Sequence, residues 1–237
     1  MSTSIDTRVT PALHPDNVKE IEGYGEDTAM VVGPTATAFS EAYEGIRAVH
    51  DARDKAKTNP TWNEAQQIIH TDDFARKHLD RIARSFDSVR GNLEKGIASL
   101  EQELSQPVAS RAAGPISTEI RAHVKALPTG KLHTFLQEAL ANGDHDTARA
   151  VLGAPPYLSG LTPEFQATYL RSYHERTSPD KAKRLKAMRG AKAMIEERAG
   201  LVFKELEKAV GAKPDQARRL REAKTAAEQA FILKGAA

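Results

Sequence analysis

Between Pro60 and Pro107 the chain runs 46 residues without a proline. Within that stretch Ala75, Leu79, Ile82, Phe86, Val89, Leu93, Ile97, Leu100 and Leu104 follow one another at steps of three and four. That alternation is the period of one helix face packed along its length. A helix over 71–105 is expected, roughly 50 Å long at about 1.5 Å per residue. Two consecutive four-residue steps, Val89 to Leu93 and Leu93 to Ile97, make a stutter beside Gly91 and Gly96, which argues for the spine of a bundle over a stand-alone coiled coil.

Composition agrees with helices that approach closely. Alanine supplies 37 of 237 residues and aromatics only 5%. Alanine is the best helix former but buries little area. An elongated helical bundle suits that balance better than a dense globule. The formal net charge of +2 gives no global argument for nucleic acid. Zero cysteines exclude disulfides and thiolate metal sites. No apolar run approaches the roughly 20 residues of a membrane span, and the polar start lacks the apolar core of a secretory signal.

Four regions are expected. Residues 1–34 carry two basic against six acidic residues and no helical period, and read as an extended acidic arm ordered only against a partner. The patch Ala29–Val32 is the one candidate strand. Residues 35–106 form the long-helix region, with a first helix over 35–57 stopped at Asn59-Pro60. Thr61 and Glu64 have the spacing of a capping box, and Thr71-Asp72-Asp73 resembles a second cap with a break near His70. Residues 107–114 read as a linker. Residues 115–237 hold shorter helices over 117–127, 129–142 and 144–152, a rigid loop at 154–160, and a helix opened by Thr162-Pro163. They end in an antiparallel hairpin of helices over 179–210 and 214–233. The fold class is all-α.

Chemistry is mostly missing. Gly23-Tyr24-Gly25 and Gly130-Lys131 lack the spacing of phosphate-binding loops. No two histidines sit four apart around a glutamate. Asp144-His145-Asp146 reads as a helix cap, and His70, Asp72, Asp73 and His78 as a cap with a flanking residue. No catalytic, cofactor or metal residue is assigned, and neither an enzyme activity nor a small-molecule substrate is expected. The basic stretch carries more weight. Residues 171–192 hold eight basic against two acidic side chains. Lys181, Lys183, Arg184, Lys186 and Arg189, with Arg218, Arg219 and Arg221 on the next helix, are the candidate nucleic-acid contacts.

The segment Ala154-Pro-Pro-Tyr-Leu-Ser-Gly-Leu-Thr-Pro-Glu-Phe, continuing through Tyr169 and Ser178-Pro-Asp-Lys-Ala to Met188, resembles small all-helical structural proteins encoded among head genes of tailed bacteriophages. The resemblance covers 154–188 and implies a virion or head-assembly component, located in the virion or in the cytoplasm during assembly. The leading expectation is a non-enzymatic protein working in multiple copies. Leu79, Ile82, Phe86, Val89, Leu93, Leu100 and Leu104 would be its assembly seam, and its partners further copies and other structural subunits. The seam's packing is open between neighbours in one chain and neighbours in another. A nucleic-acid-associated protein is the alternative, and no membrane partner is expected.

Overall fold

The computed structural model describes residues 6–106, 108 and 115–231. Among them every regular element is helical. The α-helices are α1 (Ala29–Lys57), α2 (Glu64–Glu103), α3 (Pro115–Ala126), α4 (Thr129–Ala141), α5 (His145–Leu152), α6 (Pro163–Thr177), α7 (Pro179–Val210) and α8 (Pro214–Gln229). Short 3-10 turns lie at Pro11–Leu13, Pro15–Glu20 and Pro156–Leu158. The chain divides into two compact units. The first is Met1–Glu94 with Ala187–Ala237, and the second is Lys95–Lys186. The division falls inside α2 and α7, each long enough to serve two cores. Apart from Val108, which is buried in the second unit's core, the expected linker lies outside the described residues.

Several helix boundaries differ from the sequence reading. Ala29–Val32 is the first turn of α1, not a strand, and the helix begins six residues before Thr35. The Thr28 hydroxyl fixes that start by accepting the Gly25 N–H at 2.9 Å and donating to the Gly23 carbonyl at 2.8 Å. Pro34 sits in the second turn, where it forgoes one hydrogen bond. At α2 the capping box is one residue pair later than Thr61 and Glu64. Asn63 Oδ1 accepts the Gln66 N–H at 3.0 Å, while the Gln66 side chain accepts the Asn63 N–H at 3.1 Å. The break near His70 does not occur. The Thr71 hydroxyl donates to the Gln67 carbonyl four residues back at 2.7 Å, so it rides along the helix instead of starting one. α2 is therefore one helix of 40 residues.

In the first unit Phe39, Tyr43, Ile46 and Val49 of α1 are buried, as are Ile82, Phe86 and Leu93 of α2 and Ile195, Val202 and Leu206 of α7. Small residues bring the helices together. Gly45 is buried, and a Cβ there would lie 2.9 Å from the His78 ring and 3.3 Å from Ile82. After α7 the chain turns through Gly211 at φ 73°, a conformation glycine adopts without steric cost. In the second unit Val124, Leu132, Leu136, Leu140, Val151 and Leu161 form the core with Tyr169 and Tyr173. Asp144 caps α5 by accepting the Thr147 N–H at 3.0 Å, and Thr162 caps α6 by accepting the Phe165 N–H at 3.3 Å, both at the expected positions.

Candidate functional site

The acidic N-terminal segment is not an extended arm: its described residues pack on their own chain. Val9, Leu13, Val18 and Ile21 are buried. The Asp6 N–H donates to the Tyr43 hydroxyl at 2.6 Å, and that hydroxyl donates back to the Asp6 carbonyl at 3.2 Å. Thr10 N–H donates to Glu205 at 3.0 Å, Lys208 to the Arg8 carbonyl at 2.9 Å, and Arg198 to the Ala12 carbonyl at 2.9 Å. Arg8 pairs with Asp6 and Asp51, each at 2.7 Å. The segment is thus tied to α1 and α7. Hydrogen bonds from the Arg8 side chain, then from its backbone N–H, hold the Asp6 carboxyl well below its usual range. The acidic composition suggested a partner elsewhere because it does not reveal that Tyr43, Glu205 and Lys208 meet the segment's backbone.

His50 of α1 is 9% exposed, and its Nε2 has no hydrogen-bond partner among the described residues. Burial, assisted by the charges of Arg8 and Lys208 and opposed by Asp6 and Glu205, pushes its imidazole below the ordinary 6.5. Burial lowers His78 as well, with Arg81 adding to it. The fold accepts the neutral rings, so their stabilising effect is complete above 6.5. It is lost as pH falls below that value, because the unfolded chain takes up protons first. The urea midpoint is expected to drop between pH 7 and 5, with a shallower slope in His50→Gln. A flat wild-type profile would contradict the burial of these rings. Asp6 adds a second loss as pH falls below its ordinary 3.8.

The seam residues are covered within the chain. Ile82, Phe86, Leu93, Leu100 and Leu104 are buried, and Leu79 and Val89 are partly buried. Phe86 lies against Phe39 with ring centroids 5.1 Å apart. The outer faces of α2, not this seam, are what the chain leaves open.

The basic candidates divide between the units. In the second, Lys181 pairs with Glu103 at 2.6 Å, while Arg184, Lys183 and Lys186 are exposed, the last two with partners within the chain. In the first, Arg189 is exposed and likewise engaged. Arg218 pairs with Asp215 at 3.1 Å, and Arg219 is exposed. Arg221 pairs with Asp72 and, at 2.8 Å, with Asp73. The acidic pair expected to cap a helix instead anchors α8, so part of the basic cluster is neutralised locally.

The second unit displays apolar side chains on a braced loop. Gln166 Nε2 donates to the carbonyls of Leu152 at 3.0 Å and Ala154 at 2.7 Å, fixing where the loop leaves α5. Ser159 and Leu161 are buried, and Gly160 turns the chain at φ 78°. Around these anchors Tyr157 is 67% and Phe165 46% exposed, and Leu158 is exposed as well. Phe165 leans on His133 at 4.3 Å, and His133 Nδ1 is hydrogen-bonded to the Tyr169 hydroxyl at 2.8 Å. Neither Tyr157 nor Phe165 is assigned from sequence; the signal is the place of Tyr157 in a loop flanked by Pro155-Pro156 and Thr162-Pro163, and of Phe165 in the first turn of α6 beside it.

Among the described residues, no group of three or more histidine, aspartate and glutamate side chains has the geometry to hold a metal ion, and no helix is long and apolar enough to cross a membrane. Comparison of the chain with protein-family models, curated proteins and solved structures finds no match.

Proposed function

We propose that this chain is a non-enzymatic structural or assembly protein working in multiple copies in a larger complex, namely the head of a tailed bacteriophage. The observation that carries the reading is the braced loop with Tyr157 and Leu158 exposed, beside Phe165 exposed on the first turn of α6. Large apolar side chains held in water gain about 25 cal/mol per Å² when a partner covers them. A loop already fixed loses little conformational freedom on docking. The resemblance to phage head-gene proteins spans the same segment, which supports placing the contact there. The buried core of the second unit lies behind the loop, with Val151, Leu152 and Leu161 among its members.

Light scattering of the purified chain, alone and with head and portal subunits from the genome that encodes it, tests the reading. An oligomer or a complex is expected, and Tyr157→Ser with Phe165→Ser should weaken it at least tenfold without loss of helicity. A compact monomer that binds none of these subunits would overturn the reading.

Nucleic-acid contact is the second reading, favoured by the exposure of Lys183, Arg184 and Lys186 on one helix. It expects duplex DNA binding at low salt that weakens steeply as salt rises. Changing all three to glutamate should abolish that binding. The assembly reading expects the same triple variant to assemble normally.

A further inference from the structure

A cleft of about 380 Å³ lies where α1 ends and α2 begins, lined by Ala52, Lys55, Ala56, Asn59, Trp62 and His70. We infer that it binds a small planar organic anion, of the aromatic carboxylate class, between the indole of Trp62 and the ammonium of Lys55. Its volume falls in the range of small-ligand sites, which combine apolar walls with few polar groups.

The walls suit a flat apolar body. Ala52 and Ala56 present only methyl groups, and Trp62 contributes its ring. That ring is held in advance, stacked on His70 at 4.2 Å with 18° between the planes. The backbone carrying it is fixed too. Gln67 Nε2 donates to the Trp62 carbonyl at 3.0 Å, and the Trp62 N–H donates to the Asn59 carbonyl at 3.3 Å. A preformed wall spares the ligand the cost of ordering it.

The rim decides the charge. Lys57 pairs with Asp54 at 2.9 Å. Lys55, two residues before Lys57, has no carboxylate partner among the described residues. The side-chain oxygen of Asn59 accepts both the N–H and the hydroxyl of Thr61, at 3.0 and 2.8 Å. Its amide N–H groups remain as donors without a partner among the described residues. A cation and an amide donor beside an aromatic wall match a carboxylate attached to a ring, since hydrogen bonds to an ionised oxygen are about twice as strong as neutral ones.

Trp62 is the only tryptophan in the chain, so its fluorescence reports this cleft alone. The full chain would be titrated with benzoate and, separately, with benzyl alcohol. A saturable change is expected for benzoate, with a Kd on the order of 1 mM for so small a ligand. Benzyl alcohol should bind at least fivefold more weakly. Lys55→Gln, at an exposed position, should weaken benzoate about tenfold, and Ala52→Leu, which fills the cleft, should abolish the change while circular dichroism stays constant. Linear quenching without saturation, equal responses to the two probes, or an undiminished response in Ala52→Leu would each overturn the inference. None of these outcomes depends on whether the chain assembles.

Discussion

Replacing Phe39 with alanine is expected to destabilise the first unit by about 3–5 kcal/mol, the usual cost of deleting a fully buried aromatic side chain. Phe39 is 1% exposed and lies against Phe86 with ring planes inclined at 53°. Two contributions combine. The ring loses its transfer out of water, and the space it leaves is walled by elements that have little room to close in. Ala38 and Ala42 beside it on α1 are fully buried, and Gly45 one turn on already lets α1 and α2 approach to the limit His78 and Ile82 allow. Collapse would require backbone movement, so most of the cavity term should persist. Urea unfolding would read the effect as a lower midpoint at unchanged slope. Phe39→Leu, which keeps most of the volume, should cost less than half as much. A loss under 1 kcal/mol in Phe39→Ala would mean that α1 and α2 do not meet across this ring.

Removing residues 1–21 should have the second large effect. Val9, Leu13, Val18 and Ile21 are all buried, and each contributes about 1.5–3 kcal/mol by leaving water. Ordering the segment's backbone offsets much of that, so a net loss of several kcal/mol is expected. Truncation also uncovers apolar surface on α1 and α7 and leaves Tyr43, Glu205 and Lys208 without the partners described above. The truncated protein should bind a hydrophobic dye and aggregate more readily, and a synthetic peptide of residues 6–21 added in trans should reverse both. An unchanged urea midpoint would show that the segment is not docked. Gly190→Val tests the same seat from the other side. A Cβ at Gly190 would lie 2.5 Å from Ile21 Cγ2, and Ile21 is branched there and has little freedom to turn aside.

Where local chemistry sets an element, the reading from sequence and the structure coincide. Pro179 and Pro214 open α7 and α8, Asp144 and Thr162 cap α5 and α6, and Asn59-Pro60 stops α1. The errors share one cause. Thr71 has the side chain of a cap, yet its hydroxyl is equally satisfied by the carbonyl one turn back. Ala29–Val32 has no local signal separating a strand from a first helical turn, and Thr28 settles it through Gly23 and Gly25. Asp72 and Asp73 have the composition of a cap, but Arg221, some 150 residues away in sequence, claims them.

By itself the sequence determined an all-α chain, most of its helix ends and the buried face of α2. Those depend on periodicity, on proline's missing N–H, and on side chains that bond backbone within a turn. Only the tertiary structure decided that the acidic segment docks on its own chain, that two of the basic residues are matched to carboxylates on other helices, and that Trp62 and Lys55 border one cleft. These depend on which distant residues share a neighbourhood, and periodicity along a helix carries no record of what lies across from it.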